Sequence, residues 1–574
     1  MEKAVQAMYE KWLNSPYLDA QDKKELESIL GDEAEITERF YQSLEFGTGG
    51  LRGIRGVGTN RINKYTIRLA TQGLANYMLK AMPQGAKIAI SHDSRIGSRE
   101  YAVNAALVMA ANGIKAYIFE DLRPTPELSY AVRELGCLAG VMVTASHNPQ
   151  EYNGYKVYWA DGAQVTAPHD ELIIDEVNKI EDLSQVKLIS EEQAAEKGLM
   201  EIISKDLDAR FMTEVLKQQV KPGIVKKVPD FKVVFTPLCG CGIKGVPEAL
   251  GAIGVEHLYL VKEQSTPDGN FPTLAYPNPE DPRVFELGMK LAESIGAHYI
   301  IATDPDCDRV GTAVRGKDGK WYFPNGNQIG ILLTYYIISN MTVPKNGVVV
   351  STIVSTPMLD ALCQGYGVET MRTLTGFKYI GEKIKQFKEA NDSHTYLFGF
   401  EESYGYLKGT HARDKDAVGA AMLVAEMFAY FDSIGSSVEE ELEKLYTRFG
   451  FYQEGIVAIS MEGKAGIERI GRIVNHFRAH TPSDIAGIKI ATAKDFKTHS
   501  ETCIKTGKIS KIELPSSNVI QYALEDGSVV TVRPSGTEPK LKIYIAVKAG
   551  SDAEAVSKVE LYKKSFEALA LSVE

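Results

Sequence analysis

The sequence predicts a multidomain α/β protein that ends in a smaller α+β domain. Three observations carry this. Apolar, β-branched runs recur along the chain, and each stops abruptly at polar or glycine residues. Helical stretches such as Tyr101–Asn112 and Arg283–Ile295 lie between them. Towards the end the pattern changes to short strands separated by turns, including Asp526-Gly527. A length of 574 residues leaves room for roughly four units of about 150 residues each.

The elements follow in chain order. Val5, Met8, Tyr9, Trp12 and Leu13 recur at helical spacing and predict an amphipathic opening helix. Ile36, Phe40 and Leu44 continue the helical character up to the glycine cluster Gly47, Gly49 and Gly50. Lys87–Ile90 then runs into Ser91-His92-Asp93-Ser94-Arg95, and Ala139–Val143 into Thr144-Ala145-Ser146-His147. Phe231–Phe235 runs into Thr236-Pro237-Leu238-Cys239-Gly240, Tyr299–Ala302 into Thr303-Asp304, and Val348–Val350 into Ser351-Thr352. Continuous apolar strands alternating with helices indicate parallel sheets covered on both faces. Ligands gather at the carboxyl ends of such strands, which is where these polar clusters fall, so several α/β units facing one cleft are expected. Pro267–Pro282, with five prolines, reads as a long exposed loop. Val519–Leu524, Ser528–Val532 and Leu541–Val547 read as the terminal strands, and Ser551 with Glu554 has the spacing of a helix capping box.

Composition narrows the function classes. Hydrophobic residues make up 44% and charged residues 24%, an ordinary globular balance. Sixty-four basic against 75 acidic residues leave a net charge of −11, which disfavours nonspecific binding to nucleic acid or an anionic membrane. Six cysteines are too few for a disulfide scaffold. Cys239 and Cys241 form the only close pair, with no second cluster to complete the four ligands of a zinc site. Glu2, Lys3, Glu10 and Lys11 interrupt any secretion signal. No apolar run approaches the ~18–20 residues that cross a bilayer. These features predict a reduced, soluble, cytoplasmic protein.

Four clusters can carry chemistry. Asp304-Pro305-Asp306-Cys307-Asp308-Arg309 places three carboxylates at alternate positions after an apolar run, where they can converge on one hard divalent cation. An EF-hand is excluded, since Arg309 and Arg315 stand where its glycine and glutamate belong; Mg²⁺ with a phosphate partner fits better. The same residues admit a second reading, Asp304 as a phosphatase nucleophile with Asp306 two residues on. Ser146 follows a buried strand but lacks the glycines of a hydrolase elbow, because Thr144 and Asn148 occupy their places. It is either a phosphoryl carrier or a turn former, and His147 beside it either a loop residue or a proton-transfer group. Arg533-Pro534-Ser535-Gly536-Thr537-Glu538-Pro539-Lys540 offers a guanidinium fork, hydroxyls and exposed backbone N–H groups suited to phosphate. Phe398-Gly399-Phe400-Glu401-Glu402-Ser403-Tyr404-Gly405 places carboxylates and a hydroxyl in a glycine-bounded loop suited to sugar hydroxyls.

Taken in order, TASHNP, DPDCDR, FEESYG and RPSGTEP resemble the four-loop pattern of the α-D-phosphohexomutase family, over nearly the whole chain. GTGGLRG at Gly47–Gly53, PDGNFPT at Pro267–Thr273 and PNPE at Pro277–Glu280 resemble further stretches of that family. The wording NGYKVYW, TLTGFKYI and GFEESYG is most similar to its long phosphoglucomutase/phosphopentomutase branch.

The resemblance implies four domains around a central cleft: three related α/β domains and a smaller C-terminal α+β domain. Their limits are expected at 1–208 (a helical extension plus the serine domain), 209–323 (metal loop), 324–449 (sugar loop) and 450–574 (phosphate loop). It implies interconversion of glucose 1-phosphate and glucose 6-phosphate through a phosphoserine at Ser146 and a bound glucose 1,6-bisphosphate. Phosphopentose, mannose or glucosamine phosphates are the alternatives within the family, and a metal-dependent sugar phosphatase is the alternative outside it. Asp304, Asp306, Asp308 and the Ser146 phosphate would hold Mg²⁺. Arg52, Lys156 and Arg309 would be the cations of the active site, with His147 or Lys156 assisting proton transfer. Glu401 and Ser403 would bind sugar hydroxyls, Lys415 would lie near a substrate phosphate, and Arg533, Ser535, Gly536 and Thr537 would hold the remote phosphate. One departure is Cys239, where many relatives carry histidine. The implied partners are small sugar phosphates rather than nucleic acid or membrane, in a monomer or weak homo-oligomer.

Overall fold

The computed structural model describes residues 2–45, 50–389, 394–461, 463–535 and 540–573. These fall into two compact units, one of residues 1–326 with 377–435 and one of 327–376 with 436–574.

The first unit opens with helices Lys3–Leu13, Ala20–Ser28 and Glu33–Phe40. They close over an aromatic nucleus in which Tyr9, Trp12, Phe40 and Tyr65 meet edge to face, the geometry that ring quadrupoles favour. Helical character ends at Phe40 rather than continuing through Leu44.

A six-stranded sheet follows, built from β1 (Gly50–Ile54), β2 (Lys87–His92), β3 (Lys115–Phe119), β4 (Ala139–Val143), β5 (Tyr152–Trp159) and β6 (Met200–Ile203), in the order β1-β5-β4-β2-β3-β6. Its core is Ile88, Ile90, Val141, Val143, Val157 and the alanine-rich helix Ser98–Ala111. A second sheet joins β7 (Lys232–Thr236), β8 (His257–Leu260), β9 (Tyr299–Thr303), β10 (Val310–Arg315) and β11 (Trp321–Tyr322), in the order β11-β10-β9-β7-β8.

Both sheets correct the expectation of purely parallel pairing. β4, β2, β3 and β6 run parallel, as do β9, β7 and β8, but β5 returns antiparallel on β4 and β10 antiparallel on β9. Continuous apolar text reports burial on both faces, and β5 and β10 are buried on both faces whatever their direction. Gly50 is where β1 meets β5: at φ +130°, a Cβ there would lie 1.7 Å from the Tyr155 carbonyl oxygen, so the pairing requires glycine.

The 267–282 loop is less exposed than expected. Phe271 is buried with the Arg95 guanidinium 5.2 Å from its ring centroid, and Glu280 pairs with Arg309. The loop is pinned by one aromatic and one ion pair that its proline content conceals. The unit is completed by the hairpin β12 (Thr395–Glu401) and β13 (Gly405–Lys408), and by the buried helix Ala417–Ser433, capped by Asp416.

In the second unit, strands Gly347–Thr352 and Glu369–Thr373 pair in parallel. The C-terminal region forms an antiparallel sheet centred on Phe451–Ser460, Lys540–Ala549, Val529–Pro534 and Ile520–Leu524. Helices Gly463–Ala479 and Asp552–Leu571 contribute Ile473, Phe477, Tyr562 and Phe566 to its core. Ser551 caps the last helix by accepting from the Glu554 N–H, while the Glu554 carboxylate accepts from Gly550 N rather than from Ser551. Among the described residues no single helix is long and apolar enough to cross a membrane.

Candidate active site

Three of the predicted motifs occupy one kind of place: the short turn between a buried strand and its antiparallel return. Ser146 lies between β4 and β5, Asp304–Arg309 between β9 and β10, and Glu402–Tyr404 between β12 and β13. Each turn contains a non-glycine residue in the left-handed region: Ser146 at φ +53°, Cys307 at +54° and Tyr404 at +63°. Each costs about 1–2 kcal/mol, and such strain persists only where the surroundings over-determine it.

For the serine turn those surroundings are visible. Arg95 donates to the carbonyl oxygens of Ser146 (2.6 Å), Pro149 (2.7 Å) and Tyr152 (3.1 Å), and also to that of Asn148. Its Nε lies 3.3 Å from Asp93 Oδ2, both side chains being fully buried. Asp93 in turn accepts from Ser98 Oγ and from Arg95 N. The Ser146 N–H donates to Thr144 Oγ1 at 2.7 Å. The reactive oxygen is thereby fixed: Ser146 Oγ donates to Asp304 Oδ2 at 3.0 Å, and His147 Nδ1 lies 3.2 Å from the same oxygen. Burial, then Arg309 and Arg52, push the His147 pKa well below its ordinary value.

Asp304, Asp306 and Asp308 are all fully buried, and one oxygen of each lies within 4.8 Å of the others. Asp304 Oδ1 accepts from the backbone N–H groups of Asp308 and Arg309, at 3.0 Å each, which curls the loop. Asp306 Oδ2 accepts from Lys156 Nζ at 2.7 Å and Thr125 Oγ1 at 3.2 Å. Asp308 Oδ2 lies 3.1 Å from Lys415 Nζ and 3.4 Å from Lys156 Nζ. Burial and the two neighbouring carboxylates raise Asp304 well above the usual carboxylate range. Burial acts the same way on Asp308, but Lys415, Lys156 and Arg309 outweigh it and hold that carboxyl below the range.

Asp306 Oδ1 and Asp308 Oδ1 remain buried without a hydrogen-bond partner. An all-oxygen set with unsatisfied lone pairs fits a hard divalent cation of the Mg²⁺ type.

The remaining side chains arrive on the same scaffold. Lys156 is on β5, and Arg52, on β1, donates to Asn148 Oδ1 at 3.2 Å. Arg309 Nη1 lies 2.7 Å from Glu280. Val310 N donates to the Tyr404 carbonyl at 3.0 Å, joining the metal turn to the Glu402–Tyr404 turn. Glu401 is buried at the end of β12, and burial pushes its pKa up to about 7 against the opposing pull of Lys415. Ser403 is in the turn, partly exposed. Cys239 and Cys241 are free, buried thiols. Their loop is a brace for the metal turn: Cys241 N donates to the Pro305 carbonyl at 2.8 Å, and a Cβ on Gly240 would lie 2.4 Å from Pro305 Cα.

The structure thus brings together Ser146, His147, Arg52, Lys156, Arg309, Lys415, Glu401 and the three aspartates within one unit. Arg533 and Ser535 belong to the other unit, on and just after the strand Val529–Pro534. Gly536 and Thr537 lie outside the described residues. Sequence reasoning missed Thr125 and the Asp93–Arg95 pair as builders of the site. Asp93 and Arg95 had a signal, a polar cluster ending an apolar strand; Thr125, at the start of the helix Thr125–Glu134, had none.

A strand-end serine against buried carboxylates, ringed by cations, has the parts of a metal-assisted phosphoryl-transfer site. Comparison with known proteins gives the same class. Residues 43–184, 209–318 and 325–449 match phosphoglucomutase/phosphomannomutase alpha/beta/alpha domains I, II and III, and residues 488–561 match the C-terminal domain of that family. A phosphoglucomutase of Staphylococcus aureus (strain MRSA252) is 36% identical over 525 residues, covering 92% of this chain and 93% of that relative. Two solved structures share the fold. Parafusin, a phosphoglucomutase from Paramecium, in its open form, has a TM-score of 0.66 at 18% identity, covering 93% and 95% of the two chains. A phosphoglucomutase/phosphomannomutase family protein from Burkholderia thailandensis has 0.63 at 17%, covering 92% and 98%. The chain belongs to the phosphoglucomutase/phosphomannomutase family. It is a mutase, an enzyme of the isomerase class.

Proposed function

We propose that this enzyme interconverts glucose 1-phosphate and glucose 6-phosphate through a phosphoserine at position 146 and an enzyme-bound glucose 1,6-bisphosphate. The observation that carries the reading is the 3.0 Å contact between Ser146 Oγ and Asp304 Oδ2 inside a trio of buried carboxylates. The 36% identity to a named phosphoglucomutase supports glucose as the sugar.

Mg²⁺ held by Asp304, Asp306, Asp308 and the Ser146 phosphate would neutralise charge on the phosphate oxygens. The chain's own residues do the rest. A sugar hydroxyl attacks phosphorus, and the bond from phosphorus to Ser146 Oγ breaks as the new ester forms. The hydroxyl proton passes to a neighbouring lone pair. Ser146 Oγ takes up a proton in exchange as it departs, and His147, whose Nδ1 lies 3.2 Å from that oxygen, assists there, whereas the Lys156 ammonium is engaged by Asp306 and Asp308. Arg52 and Arg309 stabilise the transferring oxygens. The bisphosphate then turns over and returns its other phosphoryl group to Ser146, so no phosphate is lost.

Glu401 and Ser403 bind the sugar hydroxyls and Lys415 a substrate phosphate, while Arg533, Ser535, Gly536 and Thr537 hold the phosphate remote from the reacting one. The family matches support domain limits at 208/209, 323/324 and 449/450. Free thiols at all six cysteines support a reducing, cytoplasmic setting.

A phosphatase using Asp304 as nucleophile is disfavoured, because Oδ1 accepts from two backbone N–H groups and Oδ2 from Ser146. The test is an assay of the purified enzyme across glucose, mannose, ribose and glucosamine 1-phosphates, with Mg²⁺ and traces of the matching bisphosphate. Fastest isomerisation of glucose 1-phosphate supports the reading. Preference for another sugar overturns the assignment of glucose, and release of inorganic phosphate without isomerisation overturns the mechanism.

A further inference from the structure

A buried chain of polar side chains runs beside the catalytic cluster, from Tyr158 through Asp414 and Lys415 to Asp308. Tyr158 is fully buried on β5, two residues after Lys156, so both side chains leave the same face of the strand. Its hydroxyl donates to Asp414 Oδ2 at 2.8 Å. Asp414 is 2% exposed, and its Oδ1 accepts from the Lys415 backbone N–H at 2.8 Å and from Lys415 Nζ at 3.0 Å. With one oxygen on the tyrosine and the other on the lysine, the plane of the carboxylate is fixed.

The lysine is held along its length. Gly405, where β13 begins, leaves room for the stem: a Cβ there would lie 2.1 Å from Lys415 Cδ. The Phe377 ring centroid is 5.7 Å from Nζ, within reach of a cation–π contact. The backbone that follows is tied down, Asp416 N donating to the Tyr406 carbonyl at 2.9 Å and Ala417 N to the Cys307 carbonyl at 3.3 Å. An ammonium has three N–H donors. Asp414 at 3.0 Å and Asp308 at 3.1 Å engage two of them, and no third acceptor meets Nζ among the described residues.

A flexible lysine stem loses rotamer freedom when a ligand orders it. Ordering the stem before the ligand arrives removes that cost from binding. Asp308 alone would give the ammonium a single contact about which the stem could swing. Asp414 supplies a second, and Tyr158 ties that second contact to β5, the strand whose Lys156 already meets Asp306 and Asp308. Both lysines beside the metal loop are thus set by one strand of the sheet.

We infer that Asp414, held by Tyr158, is a positioning residue for Lys415, fixing the ammonium so that its third N–H meets an oxygen of the substrate phosphate. The inference rests on Lys415 binding a substrate phosphate. Tyr158 and Asp414 act through the lysine rather than on the substrate. Loss of either frees the stem and weakens the ground state and the transition state alike, so the cost falls on KM and spares kcat.

The test is steady-state kinetics of the full-length enzyme with the sugar 1-phosphate it isomerises fastest, at saturating Mg²⁺ and matching bisphosphate. The variants are Y158F, D414N, K415A and the doubles Y158F/K415A and D414N/K415A. K415A and D414N should each raise KM by ~tenfold and Y158F by ~threefold. In D414N and Y158F kcat should stay within about twofold of wild type. In the K415A background neither substitution should raise KM further, because the group they act through is gone. A merely structural part would lower the melting temperature and the active fraction and leave KM at its wild-type value; that result, with KM raised in K415A, would overturn the inference. So would a rise in KM from D414N or Y158F that persists in full without Lys415. An unchanged KM in K415A would instead overturn the assignment of Lys415 to a substrate phosphate, and the inference with it. Y158F and its double variant decide by the same comparison if D414N does not fold, since phenylalanine keeps the ring and removes only the hydroxyl.

Discussion

Ser146 has a reactive oxygen on a backbone that other residues avoid, and the two properties separate by substitution. Ser146→Ala and Ser146→Gly both remove the phosphoryl acceptor, so neither should turn over. Glycine tolerates φ +53°, so Ser146→Gly should be the more stable by about 1 kcal/mol. Equal denaturation midpoints would mean that the turn is not strained. At Asp306, the amide of Asp306→Asn keeps the size of the side chain and removes one anionic ligand. Activity at limiting Mg²⁺ should fall by at least about a hundredfold while the far-ultraviolet circular dichroism is unchanged; full activity would remove Asp306 from the site. His92 shows how burial makes a residue pH-sensitive without any catalytic part. Burial lowers its pKa to about 4, with Nδ1 donating to the Asp93 carbonyl and Nε2 buried without a partner. Between its ordinary pKa near 6.5 and about 4, the unfolded chain binds a proton that the folded chain refuses. Stability should therefore fall as pH drops through that window, by up to ~3 kcal/mol from this group. Urea denaturation at pH 7 and pH 4.5 should show a smaller loss for His92→Asn than for wild type.

At the scale of elements, the antiparallel return strand is what makes a site out of each sheet. It turns the chain back on itself immediately after a buried strand, so that β5 brings Lys156 to the metal turn. The location of two of these turns was legible, because apolar text ended in polar text at 144 and 303, while 398–405 reads only as a glycine-bounded loop although its first four residues end a strand. The direction of the strand that followed was not legible, since burial on both faces looks the same in either sense. The brace behind the serine turn was also illegible: Arg95 and Ser146 are 51 residues apart and meet only through the sheet. Arg95→Met should therefore act as a defect of the whole turn. It strands the Asp93 carboxylate in a dry interior and releases four carbonyls, and should destabilise the protein by about 3–5 kcal/mol. Thermal denaturation checks this, and Arg95→Met with Asp93→Asn should recover part of the loss. A loss no greater than that of a surface substitution would contradict the role given to the pair.

At the scale of the molecule, the four motifs in sequence order pointed to the family, and the family matches agree with them along the chain. What order alone could not give is charge balance. Three fully buried carboxylates face Lys156, Lys415 and Arg309, and only the folded unit shows that two of their oxygens stay unsatisfied. A divalent cation should therefore stabilise the native protein. Mg²⁺ at a hundred times its Kd should add about 2.7 kcal/mol, an increment that Asp306→Asn should abolish and chelation reverse.

In the proposed reaction phosphoryl transfer passes through Ser146, and the position of the covalent label measures this most directly. The enzyme is incubated with glucose 1,6-bisphosphate carrying labelled phosphate, digested with trypsin and treated with mild hydroxylamine. One phosphoryl group, stable to hydroxylamine, is expected on the peptide containing Ser146, with label and turnover both lost in Ser146→Ala. A hydroxylamine-labile acyl phosphate on Asp304, with Ser146→Ala still active, would contradict it.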